Sequence, residues 1–436
     1  MTMKIRVISA QAQAQQQCSA DNDAFDRHNK PRTRRDLILS SIKHKYPRLV
    51  TFTSASSSNF ATDDARSNNL INLYSTVHDV NMIQFLLEAY DKWKDMGPSW
   101  DRDNCHPEWK NHTNNDGVPP LIPCHSAFRT RGNNNSDGGS NIERPSTNVM
   151  GAMGYYCTDL ITPIVESLVA ELEEDANVIC SAVHYALLNN DNASNNEVVY
   201  ALTTHPGHHA SYNCFGGYCY LNNAALCARL IQRQIETGAS IISDGKIVSS
   251  WQEAEKQGQK EKNSRVAILD IDYHCGNGTA SILYEDPSIF FTSIHCNPEI
   301  DYPWNTGYED QTGAGLGVGT TLFIPLEPGA TWEGSYKLAL SKAMNAIMKF
   351  DPAALVISLG LDTHIDDAVA VNRGGFKLKG DDYYEMGLFM GKYLKNKNMP
   401  CVFVQEGGYK MDTIGDAAAD VLGGFAIGAC DGEKVE

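Results

Sequence analysis

Ile268-Leu269-Asp270-Ile271-Asp272-Tyr273-His274-Cys275-Gly276-Asn277-Gly278 runs from apolar residues into two acids, a histidine and glycines. In a strand, residues two apart share a face, so Asp270, Asp272 and His274 are expected to point the same way at its carboxyl end. Two acids and a histidine converging there suit a metal ion. A second stretch, Val356-Ile357-Ser358-Leu359-Gly360-Leu361-Asp362, also runs apolar into a terminal carboxylate. An Asp near the core without a partner is an expensive charge, and a cation is its natural counterpart. Three protein ligands with an open fourth position are the arrangement of catalytic zinc, and Asp272, His274 and Asp362 would supply them. The bland alternative is that such strand-end residues cap helices or pair with surface lysines.

The pattern extends in both directions from these two stretches. Apolar runs predict strands at 198–203, 266–272, 289–294, 321–325, 354–361 and 401–405. Helical periodicity lies between several of them, at 162–188, 221–236, 333–349 and 383–395, the first with Thr162 as cap and Pro163 at the first helical position. Strands alternating with helices imply an α/β fold, a mostly parallel sheet with helices on both faces and the active site at the carboxyl ends of the strands. Residues 99–148, rich in Asn, Gly and Pro, and 243–264, polar and lysine-rich, read as loop insertions rather than linkers. The alternation continues across both, which predicts one catalytic domain over 1–436 with a variable segment at 1–27.

Composition narrows the function. A chain of 436 residues with 42% hydrophobic residues supports a large core. Its formal net charge of -17 argues against nucleic-acid binding, which depends on neutralising phosphates, and favours cationic substrates. The 12 cysteines are scattered without a CxxC pair, which points to free thiols in a reducing intracellular compartment. Apolar stretches such as 353–361 are too short to span a membrane. Residues 1–20 faintly mimic a signal peptide, yet the apolar part, 5–10, is too short and a glutamine-rich run follows. The sequons at Asn111, Asn134, Asn192 and Asn277 are read as chance matches.

Two further stretches add chemistry. Thr204-His205-Pro206-Gly207-His208-His209-Ala210 places adjacent imidazoles on a Gly-Pro loop after a strand, where they can reach a bound water. Val402-Phe403-Val404-Gln405-Glu406-Gly407-Gly408-Tyr409 ends a strand in two glycines that let the backbone turn and present a phenol able to donate to an oxyanion. Residues 313–319, glycine at every second position, have the wrong spacing for a nucleotide loop and precede a strand, so they read as a turn. HExxH and PCxxC are absent. Cys214 and Cys219 read as packing around the following motif.

With these four motifs in this order, the chain resembles the histone deacetylase superfamily, from about residue 28 to 425 and most strongly after His205. The resemblance implies the arginase-deacetylase fold, with a sheet of about eight parallel strands. It implies Zn2+ on Asp272, His274 and Asp362, with Tyr409 as the catalytic phenol. His208 and His209 match the tandem histidines, with Asp270 behind the first and Asn277 behind the second. Gly217 and Tyr218 match one wall of an acyl-lysine tunnel, Tyr302 the opposing aromatic, and Gly407 and Gly408 line the same channel. Asp270, Asp272, His274, Ser293 and Ile294 match an inner site for a monovalent cation, K+. Arg34 matches an internal-channel arginine, while the basic run 30–35 could equally be a nuclear import signal. Implied substrates are acyl-lysine proteins or peptides such as histone tails, or small acetylated amines, in nucleus or cytoplasm.

Departures from the pattern bear on substrate. Cys275 stands where most relatives have a second histidine, and strand alternation would turn it away from the metal. Tyr218 replaces the usual Phe. Residues 153–156 and 162–164 look more like acetylpolyamine amidohydrolases than like class I enzymes. A two-manganese ureohydrolase would need an acid where Asn277 stands. A non-enzymatic acyl-lysine-binding scaffold would have no use for Tyr409.

Overall fold

The computed structural model describes residues 3–10, 30–55, 63–96, 118–123, 144–188, 197–243, 246–247, 263–395, 397 and 399–430. Most of the stretches read as the N-terminal segment and the two loop insertions lie outside the described residues, as do Asn111, Asn134 and Asn192.

Eight strands form one sheet: β1 (Lys4–Ser9), β2 (Val50–Ser54), β3 (Glu197–Leu202), β6 (Val266–Asp270), β7 (Ile289–Cys296), β8 (Thr321–Leu326), β9 (Ala354–Leu359) and β10 (Cys401–Gln405). Their spatial order is β2-β1-β3-β10-β9-β6-β7-β8, and every pairing is parallel. A two-stranded antiparallel pair, β4 (Ile242–Ser243) and β5 (Lys246–Ile247), stands apart, at the near edge of the 243–264 region expected to be loop.

Strand alternation divides the core into two layers. Val266 and Ile268 of β6, Val356 of β9 and Val404 of β10 face helices α2 (Asp63–Tyr74), α3 (Val80–Asp95), α4 (Val149–Tyr156), α5 (Leu168–Leu188), α6 (Asn223–Thr237) and α7 (Asn277–Leu283). Leu269, Ile357 and Phe403 face α1 (Pro31–Lys45), α8 (Lys337–Phe350), α9 (Asp381–Leu394) and α10 (Ile414–Gly428). Ile268 and Ile357 are fully buried, each stabilising the fold by roughly 1.5–3 kcal/mol. Helices α9 and α10 approach closely because Gly387 and Gly424 leave no room for a side chain: a Cβ at either would lie about 2 Å from the other helix's carbonyls.

The chain leaves β3, crosses to β6, builds outward to β8 and only then fills the gap with β9 and β10. Four carboxyl ends far apart in sequence, those of β3, β10, β9 and β6, therefore become neighbours.

Two boundary readings are corrected. β6 stops at Asp270, and Asp272 and His274 lie on the loop beyond it. The helix expected from Thr162 begins at Leu168. Ile164 is committed to a backbone bridge with Leu121, and the Thr162 hydroxyl donates to Asp159 and accepts from the Tyr218 amide, so neither residue caps a helix. The apolar residues 5–10, read as too short for a signal segment, include most of β1, a strand paired on both sides.

Candidate active site

Because β6 ends at Asp270, the loop after it must turn Asp272 and His274 back toward the sheet. Side-chain acceptors do this: the Asp272 amide donates to Asp270 Oδ1 at 3.1 Å, and the His274 amide to Asp272 Oδ1 at 2.9 Å. Asp362 arrives from the end of β9 and accepts from the Tyr273 amide at 2.8 Å. Ligand-type atoms of Asp272, His274 and Asp362 all lie within 4.8 Å of one another, and all three residues are buried.

The chemistry of these donors fits a divalent cation. Burial and the neighbouring Asp272 charge push the Asp362 carboxyl above the ordinary range. Asp272 is held below that range because the charges of His208 and His274 outweigh its burial. Two carboxylates this close ionise together only when positive charge joins them. Gly407 and Gly360 make room for the cluster, since a Cβ at either would fall within 2.6 Å of Asp272 Oδ2. Cys275, expected to turn away, is buried in the apolar layer and is not part of this group.

Beside the cluster stand the two histidines of the loop after β3, ring centroids 4.0 Å apart. Their Nδ1 atoms have unequal partners: His208 meets the Asp270 carboxylate at 3.0 Å, His209 the Asn277 amide oxygen at 2.7 Å. Burial disfavours charge on His208, yet the Asp272 and Asp270 carboxylates prevail and hold its pKa up at about 10. Burial and the positive charges of His208 and His274 push His209 well below the usual value. The two rings are thus biased in opposite directions, His208 toward the charged form and His209 toward the neutral one. Tyr409, 7% exposed, follows Gly407 and Gly408, and its amide donates to Asp367 Oδ2 at 2.7 Å. Gly408, at φ 125°, makes the turn that a side chain would resist.

Comparison with known proteins agrees with this geometry. The family model for the histone deacetylase domain matches residues 28–242 and 251–425. The chain belongs to the histone deacetylase family. It is 32% identical over 349 residues to acetylpolyamine amidohydrolase 2 of Pseudomonas aeruginosa, covering 80% of this chain and 81% of the relative. It is 31% identical over 350 residues to the acetylpolyamine amidohydrolase of Mycoplana ramosa, covering 80% and 82%. Histone deacetylase 10, chloroplastic, of Oryza sativa subsp. japonica is 32% identical over 228 residues, 52% of this chain and 44% of the relative. The crystal structure of an acetylpolyamine aminohydrolase from Burkholderia pseudomallei superposes with a TM-score of 0.67 at 22% identity, covering 98% and 99% of the two chains. The protein is thus a deacetylase-family hydrolase on the family's fold.

In this family member the walls of the site come from loops. Gly217 and Tyr218 take left-handed conformations, φ 59° and 64°, and a Cβ on Gly217 would lie 2.4 Å from His209 Cδ2. Asp159 holds this wall by accepting from the Gly217 amide at 2.5 Å and from Thr162. Opposite, the Tyr302 ring packs on His209 with centroids 4.7 Å apart. Asp301 accepts from the Tyr302 amide and pairs with Arg373, whose guanidinium lies 4.6 Å over the Trp304 ring. The remaining expected residues also gather here. Ser293 pairs in register with Asp270 and is buried, as is the next residue, Ile294. Arg34 of α1 is 1% exposed, donates to the Thr204 carbonyl at 3.0 Å and lies 5.8 Å from the Tyr409 ring. Two more residues of its basic run are engaged, Arg32 with Glu171 and Arg35 with Glu174.

Several supporting residues were not singled out from the sequence. Glu406, the acid before the Gly407-Gly408 turn, accepts from the Gly207 and His208 amides at 2.6 and 3.1 Å. Asp175 of α5 receives the Thr204 and His205 amides, and Glu171 the His205 ring. Asp367 holds Tyr409. Glu406 carries a sequence signal, an acid at the end of an apolar run, whereas Glu171, Asp175 and Asp367 sit beside other acids and do not stand out. Among the described residues no helix is long and apolar enough to cross a membrane.

Proposed function

We propose that the protein is a zinc-dependent amide hydrolase that removes acetyl groups from the amines of small cationic substrates of the acetylpolyamine type. The observation that carries this reading is the unequal histidine pair beside the Asp272, His274 and Asp362 cluster. Those three residues would hold one zinc ion, which when bound supplies a Lewis acid and lowers the pKa of a water to roughly 7.

The chain's own groups do the rest. Asn277 offers an amide oxygen, so His209 Nδ1 carries the hydrogen and Nε2 is left as the proton acceptor. His209 Nε2 takes a proton from the attacking water. The Tyr409 hydroxyl donates to the oxygen that becomes negative as the carbonyl carbon turns tetrahedral. His208, cationic through Asp270 and Asp272, adds positive charge and protonates the leaving amine. Tyr218, Tyr302, Gly407 and Gly408 line the approach. Ser293 and Ile294, with Asp270, Asp272 and His274, would hold a structural K+ ion.

The small-amine substrate moves ahead of the protein-lysine substrate that the family resemblance first suggested. The relatives matched over about 80% of this chain carry the acetylpolyamine amidohydrolase name, and the net charge of -17 favours polycations. Acyl-lysine remains the second reading, supported by the rice deacetylase match. Purified protein, analysed for metal, is assayed on N8-acetylspermidine and on acetyl-lysine peptides. A higher kcat/KM on the amine with one zinc per chain is expected. Preference for the peptide would reverse the substrate order, and two equivalents of manganese would point to ureohydrolase chemistry.

A further inference from the structure

A second group of ligand-type side chains meets at His208. One of its ring nitrogens, Cys219 Sγ and a Glu406 carboxylate oxygen all lie within 4.8 Å of one another. They come from three separate places: the loop after β3, the wall turn and the loop after β10. His208 is 2% exposed, and Cys219 and Glu406 are fully buried. Glu406 is anchored through both oxygens, Oε2 by two backbone amides and Oε1 by the Ser358 hydroxyl at 3.1 Å, which leaves one acceptor site on Oε1. The Cys219 thiol contacts the Gly217 carbonyl at 3.5 Å and accepts from the His209 backbone amide, and burial keeps it in the thiol form until a cation enters. Sulfur, imidazole and carboxylate on three fixed loops make a donor set suited to a soft or borderline divalent cation and ill suited to magnesium or calcium.

We propose that His208, Cys219 and Glu406 form a second site for a thiophilic divalent cation such as zinc or cadmium, and that its occupation inhibits the enzyme. The exchange balances simply: the cation enters, the Cys219 thiol and the His208 ring nitrogen that becomes a ligand give up any hydrogen they carry as protons to solvent, and no electron is transferred. Occupation engages a His208 ring nitrogen, so the inhibitory consequence rests on the role given to His208 above. The site fills only at excess metal. Its groups already have protein partners, and His208 Nε2 lies 3.7 Å from Asp272 Oδ1, so two bound cations would repel across a short distance.

The two sites are separable by spectroscopy, because Asp272, His274 and Asp362 include no sulfur. The zinc-loaded protein is titrated with Cd2+ alone, following thiolate-to-cadmium charge-transfer absorption in the ultraviolet and, in parallel, turnover. Absorption and loss of turnover should rise together and reverse with chelator. Cys219→Ser and Cys219→Ala should keep one zinc per chain and basal turnover, lack the absorption increment and require at least about tenfold more cadmium for inhibition. The site is rejected if the absorption is unchanged in both variants, or if cadmium inhibits them as it does the parent. Absence of turnover in every sample, with the Cys219-dependent absorption intact, would overturn the assigned enzyme function and leave the second cation site standing.

Discussion

The floor and the walls of the site are built by different means. Floor groups sit at or just past strand ends, held by hydrogen bonds: His208 to Asp270, His209 to Asn277, Glu406 to two amides. Wall groups ride on turns with left-handed residues, Gly217, Tyr218 and Trp304, tied down by Asp159, Asp301 and the half-exposed Arg373. A floor fixed by the sheet suits bond making, where small displacements are costly, and walls on loops suit substrate selection. The contrast predicts that floor changes act on kcat and wall changes on KM.

The largest effect is expected at Tyr409. Tyr409→Phe removes one oxyanion donor and should cost about 3 kcal/mol, roughly 10²-fold in kcat, with metal content and KM little changed. Steady-state kinetics with metal analysis checks this, and survival of turnover would remove the phenol from the floor. Gly217→Ala tests where wall meets floor. The added Cβ would strike the His209 ring in a left-handed backbone, so kcat should fall by roughly 10- to 100-fold despite the residue's place in the wall. A change confined to KM would mean that wall and floor are uncoupled.

Asn277→Asp sharpens the difference inside the floor. A carboxylate behind His209 favours its charged form and should raise its pKa by about one unit, or about 1.4 kcal/mol. The neutral base is then scarcer at low pH, so the acidic limb of kcat/KM should move upward. An unmoved limb with intact zinc would reject His209 as the titrating base. Arg373→Ala is the smallest case. Its pair with Asp301 is half exposed on the arginine side, so the loss should be under about 1 kcal/mol and appear in KM alone. A kcat effect would show that the Tyr302 loop needs the clamp to hold the floor.

Much of the floor was legible because each part is a short contiguous pattern: an apolar run, an acid at its end, a glycine where the chain turns. The convergence of Asp272, His274 and Asp362 was expected on this basis and is observed, although for a different reason. Strand alternation was expected to align Asp272 with His274, whereas β6 ends at Asp270 and side-chain to amide hydrogen bonds curl the loop. The walls and the early elements were less legible. Thr162-Pro163 has the local chemistry of a helix start, and bonding to Asp159, Tyr218 and Tyr220 overrode it. α10 was not read because its glycines argue against a helix until their contact with α9 is known.

By itself, the sequence determined the α/β alternation, the parallel sheet and the identity of the converging acids, histidines and tyrosine, because periodicity and turn chemistry act between near neighbours in the chain. Only the tertiary structure decided which of these groups meet. Asp270 lies 62 residues from the histidine it charges, and Glu406 lies 199 from the amide it anchors. Their partnership is set by the late insertion of β9 and β10 between β3 and β6, and the carboxylates gathered there bias His208 toward charge while burial and its charged neighbours bias His209 against it.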